Sequence, residues 1–256
     1  MILAIDMGNT NIVLGCIEQE TVLFTERMET DLRKTELEYA IAFRNVLELH
    51  SISLKQLEGG IISSVVPPLV PVLKRALAKL TDMDVMVVST EIETGLTLRM
   101  DNPAAVGSDL IVDAAAALEQ YGAPVIVIDM GTATTFSVVA RDGAYVGTII
   151  MPGARISLDS LVSGTAQLPK IGLSVPDTVI GKNTVDCMRS GVLYGSAAML
   201  DGMIDRIWEE LGYETKIVAT GGLAHAVVPH CFHEIQLNDE LLLQGLRLIY
   251  EKNRRD

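Results

Sequence analysis

The chain has 256 residues, 49% of them hydrophobic, so it can bury a full core and is long enough for one large or two small domains. Its formal net charge of -13 disfavours nucleic acid or an anionic membrane as a partner, although a local turn can still hold nucleotide phosphates. The three cysteines lie far apart and imply no disulfide framework, which fits a reducing cytoplasm. A non-basic N-terminus and the lack of any apolar run of about 18 residues predict neither a signal peptide nor a membrane span.

The first half of the chain predicts three strands, then a helix, a strand, a helix and a strand. The strands are expected at residues 1–6, 11–18, 21–28, 61–66 and 85–89, and the first three form a meander. Thr35 and Glu38 have the spacing of a capping box at the start of a helix that runs to about Leu49. Pro67-Pro68 is typical of the start of the second helix.

The second half repeats this opening. After an irregular stretch at 95–107, a helix is expected at 110–119. Strands are expected at residues 125–129, 134–140, 144–150 and 216–219 and near Ile235, and later helices end near Val162 or span 185–211 and 240–252. We therefore expect two near-equal halves, 1–118 and 119–256.

One short turn follows the first strand of each half. Ile5-Asp6-Met7-Gly8 returns as Ile128-Asp129-Met130-Gly131. Gly8 permits close backbone approach, and the N–H groups of such turns form anion-binding concavities. Asp6 can face the Mg²⁺ that accompanies a nucleotide. An ordinary strand-ending turn is the alternative, but its recurrence favours a duplicated fold with a nucleotide between the halves.

Five stretches, taken in order, resemble type III pantothenate kinase, a branch of the actin, sugar-kinase and heat-shock-chaperone superfamily. They are residues 6–11, 63–67, 101–103 with 107–109, 129–135, and 152–153 with 165–169. The resemblance covers essentially the whole chain. It implies an α/β fold of duplicated actin-like (ribonuclease H-like) domains, each a mixed sheet with a three-strand meander and flanking helices.

The resemblance also implies a reaction and its requirements. The reaction is the ATP-dependent phosphorylation of the primary hydroxyl of pantothenate to 4′-phosphopantothenate, the first step of coenzyme A biosynthesis. The enzyme would use ATP with Mg²⁺ and a monovalent cation, K⁺ or NH₄⁺. It would be a cytoplasmic homodimer that binds neither nucleic acid nor a membrane.

Residue roles are carried over onto the matching positions. Asp109 would be the general base, although a helix-capping role is the alternative and the two can coexist. Asp129 would bind the monovalent cation, unless the duplicated turn has lost its function. The nucleotide-binding residues would be Asp6, Met7, Gly8, Asn9, Thr10, Asn11, Ile12, Val13 and Thr132. The substrate-binding residues would be Met100, Gly107, Ser108, Asp109, Leu110 and Thr184.

Two substrate positions depart from the family pattern. Met100 replaces a tyrosine and Leu110 replaces an arginine, and only arginine can hold the pantothenate carboxylate bidentately. Arg155 or Lys182 could supply the missing positive charge. Two other readings therefore stay open: a kinase of this fold acting on another small alcohol or sugar, and a nucleotide-binding regulator with reduced activity.

Overall fold

The computed structural model describes residues 1–89 and 91–254. The chain divides into two compact units. The first comprises Met1–Leu96, Asp101–Ala116 and Glu240–Asp256, and the second comprises Thr97–Met100 and Ala117–Asp239. Along the chain, the first unit gives way to the second between Ala116 and Ala117. The C-terminal segment, however, belongs to the first unit, whereas the sequence analysis assigned it to the second half.

The first unit contains a five-stranded mixed sheet. Its strands are β1 (Ile2–Met7), β2 (Asn11–Glu18), β3 (Thr21–Glu29), β4 (Gly59–Ser64) and β5 (Asp84–Val87). Their order is β3-β2-β1-β4-β5, with β1 antiparallel to β2 and parallel to β4. The unit's helices are α1 (Glu36–Leu49), α2 (Val70–Ala78), the first part of α3 (Ser108–Tyr121), and the C-terminal helix (Leu241–Asn253).

Strand β1 is buried on both faces of this sheet. Leu3, Ile5 and Met7 enter the core that contains α1 and α2. Ile2 and Ala4, whose side chains point the other way because strand residues alternate, enter a second core. That second core contains apolar residues of the C-terminal helix and of α3. The C-terminal helix belongs to the first unit because, together with α3, it covers this face of β1 and β4.

The second unit contains a six-stranded sheet with the same core order. Its strands are β6 (Thr97–Leu98), β7 (Val125–Met130), β8 (Ala133–Val139), β9 (Ala144–Pro152), β10 (Lys216–Thr220) and β11 (Gln236–Leu237). Their order is β11-β10-β7-β8-β9-β6. Without β6 this repeats the first sheet strand for strand, so the predicted duplicated α/β architecture is confirmed. The helices are α4 (Ala154–Ser163), α5 (Thr184–Leu211) and α6 (Ala224–Val227), and the C-terminal helix is then α7.

Local sequence signals account for most element boundaries. The capping box is present: the backbone N–H of Thr35 donates to Glu38 Oε2 at 2.8 Å. Strand β4 begins at Gly59, two residues before the prediction, because Gly59 already pairs with Ile2 of β1. A Cβ at Gly59 would lie 2.0 Å from Tyr250 Oη of α7. Glycine is thus part of the strand there and makes room for α7. The short elements β6 and α6 were not predicted.

Within residues 1–89 and 91–254, no helix combines the length and apolar character needed to cross a bilayer.

The close packing of α7 on α3 depends on Gly245. A Cβ built there would lie 2.3 Å from the carbonyl oxygen of Val112. We expect Gly245→Ala to lower the free energy of unfolding by about 1–3 kcal/mol, because backbone must move to relieve the clash. Urea denaturation would measure this change.

A matched control is Gly202→Ala in α5. Only the flexible end of Arg206 comes near a Cβ at that position, at 3.2 Å. The free energy of unfolding should stay unchanged or rise by up to about 1 kcal/mol, because alanine has the higher helix propensity. Equal losses in both variants would contradict the packing argument.

Candidate active site

The turn after β1 is a hydrogen-bonded loop in the first unit. The backbone N–H of Gly8 donates to the carbonyl oxygen of Asn11 at 2.9 Å, which closes the turn. Thr30 supports it from β3's end: its hydroxyl donates to the Gly8 carbonyl at 2.7 Å and its N–H to the Thr10 carbonyl at 3.0 Å. Asn9, Thr10 and Asn11 are exposed. The turn therefore offers polar donors on a fixed backbone, as a phosphate site requires.

The other predicted nucleotide residues of this stretch differ in what they can offer. The side chains of Met7 and Ile12 are fully buried in the core, so only their backbone groups could contact a ligand. Val13 is half-buried. Asp6, the residue before the last one of β1, is only 9% exposed. Its carboxylate oxygens are of the type that Mg²⁺ takes as ligands, so this end of the strand fits the divalent ion of a nucleotide.

Asp109 lies in the first turn of α3. Its Oδ1 accepts a hydrogen bond from the backbone N–H of Leu110 at 2.9 Å. A Cβ at Gly107 would lie 2.4 Å from the same oxygen, so glycine there makes room for the carboxylate. Burial raises the pKa of Asp109, while the N–H groups of Leu110 and of Asp109 itself oppose that rise. The carboxylate thus accepts a hydrogen bond at the helix start, and burial nevertheless leaves its pKa raised.

Ser63 and Ser108 join strand β4, which pairs with the strand of Asp6, to the start of α3. Ser63 on β4 pairs in register with Asp6 on β1. The hydroxyl of Ser63 lies 2.9 Å from the hydroxyl of Ser108, the residue before Asp109. Ser63 lies in one of the five stretches that resemble the family, but no role was predicted for it. The only signal was a polar residue at the end of an apolar strand.

The two positions that depart from the family pattern have different environments. Leu110 is 8% exposed and occupies a core position in the first unit. Met100 is half-buried and belongs to the short segment Thr97–Met100 of the second unit.

The turn after β7 is enclosed by glycines in the second unit. A Cβ at Gly153 would lie 2.4 Å from the carbonyl oxygen of Thr132. Gly221 has φ +94, and a Cβ there would lie 2.5 Å from Asp129 Oδ1. Both contacts are too short for any other residue, so the backbone passes directly against this turn. The carboxylate of Asp129 supplies oxygen atoms of the kind that a hard cation prefers as ligands.

Thr184, the first residue of α5, lines a cavity of about 490 Å³ in the second unit. The cavity lies between α4 and α5 and has mainly apolar walls with a few hydroxyls; it is lined by Pro152, Ser157, Leu161, Leu168, Thr184, Cys187, Met188, Gly191, Val192, Gly195, Ser196 and Met199. Arg155 and Lys182 are both exposed and do not line it. The cavity has the size and character of a small-molecule site.

Comparison with known proteins identifies a family. The sequence model of type III pantothenate kinase matches residues 2–206. A type III pantothenate kinase from an Exiguobacterium species is 42% identical over 255 residues, which cover 100% of both chains.

Solved structures share the fold at low sequence identity. A protein from Sinorhizobium meliloti, proposed to be a 2-dehydro-3-deoxygalactonokinase, is 14% identical with a TM-score of 0.60 over 100% of this chain and 98% of its own. The activator of the 2-hydroxyisocaproyl-CoA dehydratase from Clostridium difficile, solved with ADPNP, is 10% identical with a TM-score of 0.54 over 97% and 92%. These likenesses confirm the actin-like fold.

The raised pKa of Asp109 predicts a pH-dependent effect on stability. The folded protein holds a proton at this carboxyl more tightly than the unfolded chain does. The resulting stability is fully present below the ordinary carboxyl pKa and is lost as pH rises through the raised value. At neutral pH the ionised carboxyl therefore destabilises the fold. Asp109→Asn should unfold at a higher temperature than the parent at neutral pH, and the gap should close towards about pH 4.

Thermal unfolding across this pH range would test the prediction. Asp142→Asn is the matched control: Arg99 lowers the pKa of this exposed carboxyl, so its loss should bring no gain at neutral pH. An Asp109→Asn midpoint at or below the parent's at neutral pH would contradict the burial argument.

Proposed function

The chain belongs to the type III pantothenate kinase family, and we propose that Asp109 is the general base of its reaction. That reaction is the ATP-dependent phosphorylation of the primary hydroxyl of pantothenate, the first step of coenzyme A biosynthesis. The observation that carries the proposal is the carboxylate at the start of α3, where burial raises its pKa and Gly107 leaves it room. A base whose pKa is raised towards the working pH transfers a proton more effectively.

The proposed step moves one proton and one phosphoryl group. The primary hydroxyl oxygen of pantothenate attacks the γ-phosphorus as the bond from that phosphorus to the bridging oxygen of ADP breaks. The hydroxyl proton passes to the Asp109 carboxylate. Because phosphoryl transfer depends mainly on positioning and charge neutralisation, Asp109 must also hold the hydroxyl in line.

The turn after β1 is assigned to the phosphates of ATP. The exposed donors of Asn9, Thr10 and Asn11 and the closed backbone at Gly8 support this role. Asp6 is assigned to Mg²⁺ or its bound waters. Bound Mg²⁺ neutralises the charge that develops on the transferred group. In the second unit Thr132 is assigned to a phosphate.

Pantothenate is assigned to Thr184 and to the cavity that it lines. Apolar walls with a few hydroxyls suit a ligand that carries both methyl and hydroxyl groups. Met100, Gly107 and Leu110 remain proposed substrate-side positions, whereas the hydroxyl of Ser108 is hydrogen-bonded within the first unit. A full-length relative at 42% identity named as a pantothenate kinase favours this substrate over another alcohol or sugar. The presence of Asp109 favours catalysis over a purely regulatory role.

Three further properties rest on the family resemblance. Asp129 is assigned to a monovalent cation, K⁺ or NH₄⁺, and its carboxylate oxygens fit a hard ion. Self-association as a homodimer and a cytoplasmic location stay predictions.

Removing the base gives the first test. Asp109→Asn should lower kcat by about 10²–10⁴-fold, since the amide cannot accept the proton. The KM for ATP should change little. Initial rates of ADP formation with pantothenate would measure both. Asp142→Asn, on an exposed turn, is the control and should keep the parent rate. A kcat of Asp109→Asn within threefold of the parent would rule out the base assignment.

Substitution of Asp6 and of Asp129 should change the requirement for two different cations. Asp129→Asn should raise the K⁺ concentration for half-maximal rate by about tenfold, the equivalent of one lost charged ligand. Asp6→Asn should instead raise the Mg²⁺ requirement. Rates would be titrated with KCl against choline chloride at constant ionic strength, and separately with MgCl₂. Identical shifts of both titrations in both variants would contradict the assignments.

A further inference from the structure

Two serine hydroxyls meet at the point where strand β4 ends and helix α3 begins. The Oγ atoms of Ser63 and Ser108 are 2.9 Å apart. The backbone N–H of Ser64 donates to Ser108 Oγ at 3.0 Å. These bonds join residues 45 positions apart in the chain, so they tie the first turn of α3 to the end of β4.

Ser63 is a polar residue on a buried face of β4 whose neighbouring core residues are apolar. Its side chain is 0% exposed. Ile61, two residues earlier on the same face of β4, packs in the core beneath α3 and α7. Burial of a hydroxyl is unfavourable unless it is hydrogen-bonded, and the bond to Ser108 meets that requirement. An apolar residue would fill the position equally well if packing were its only role.

Ser108 has little hydrogen-bonding capacity left for a ligand. A hydroxyl has one donor hydrogen and two acceptor lone pairs. The Ser64 amide takes one lone pair, and the contact with Ser63 takes either the hydrogen or the second lone pair. Direct substrate binding, the role carried over from the family, is therefore less suited to Ser108 than an internal structural contact.

Asp6 and Asp109 each neighbour one member of the serine pair, Asp6 by strand register and Asp109 in the chain. Asp6 on β1 is the register partner of Ser63 on β4, so the two side chains leave the sheet on the same face. Asp109 directly follows Ser108, and its Oδ1 is held by the next backbone N–H. The two aspartates are thus related through the pairing of β1 with β4 and through the contact between the two hydroxyls.

We propose that Ser63 and Ser108 are positioning residues that set the location of Asp109 relative to Asp6. The inference rests on the proposed function of Asp109 as general base. The serine pair holds the start of α3 against β4, so that the base stays at a fixed distance from the phosphate turn. Neither serine transfers a proton to or from the substrate.

The single variants should lower kcat and leave the KM for ATP nearly unchanged. Each should also lower the free energy of unfolding, because a buried polar group loses its partner. Ser108→Ala loses both bonds and should lower kcat by about 10–100-fold, because a base displaced by about 1 Å acts poorly. Ser63→Ala keeps the Ser64 contact and should lower kcat by about 3–10-fold. Ser108→Thr retains the hydroxyl and should restore most of the rate.

Ser137→Ala is the matched control. Ser137 is 1% exposed, and its hydroxyl lies 3.1 Å from Tyr145 Oη in the second sheet, so it is also a buried hydroxyl pair. Its loss should change stability to a similar extent and leave kcat at the parent value. A similar fall in kcat for Ser137→Ala would show that the rate reports general loosening, and would overturn the proposal.

A double-mutant cycle with Asp109→Asn separates positioning from structure. If Ser108 acts through Asp109, Ser108→Ala should have no further effect on kcat in the Asp109→Asn background. If it lowers kcat by the same factor in both backgrounds, the positioning role is wrong while the base assignment stands. If Asp109→Asn itself retains the parent rate, the proposed function fails and this inference with it. Should Ser108→Ala not fold, Ser63→Ala replaces it in the cycle.

Discussion

The burial of β1 on both faces is the constraint on which the first unit depends. Leu3, Ile5 and Met7 serve one core, and Ile2 and Ala4 serve the other. A strand with no solvent-exposed face needs helices on both sides, so the chain must return after the second sheet to place α7 over β1. This explains why the last segment of the chain completes the first unit.

The same alternation brings the polar groups of the candidate site to one face. Asp6 continues the series of Ile2 and Ala4, and its register partner Ser63 continues from Ile61. Helix α3 packs on that face through Val112 and Ala115, so its first turn lies at the ends of both strands. Burial then has an electrostatic consequence, because it raises the pKa of Asp109.

The second unit repeats the topology, but different residues support the turn after its first long strand. Its strand order reproduces that of the first sheet, with β6 added at the edge. The turn after β1 is supported by the hydroxyl and amide of Thr30, whereas the turn after β7 is enclosed by Gly153 and Gly221. One duplicated motif has thus acquired two kinds of support, which is consistent with a different ligand for each aspartate.

The sequence by itself determined most elements and the family. Apolar runs predicted the long strands, Thr35 and Glu38 predicted the start of α1, and the repeated Ile-Asp-Met-Gly predicted the duplication, because each signal lies within a few neighbouring residues. Only the tertiary structure decided that α7 covers the first sheet and that Ser63 meets Ser108. The residues in those contacts lie 45 or more positions apart, and such separations leave no local pattern to read. Hydrophobic burial and one pair of hydroxyls brought them together.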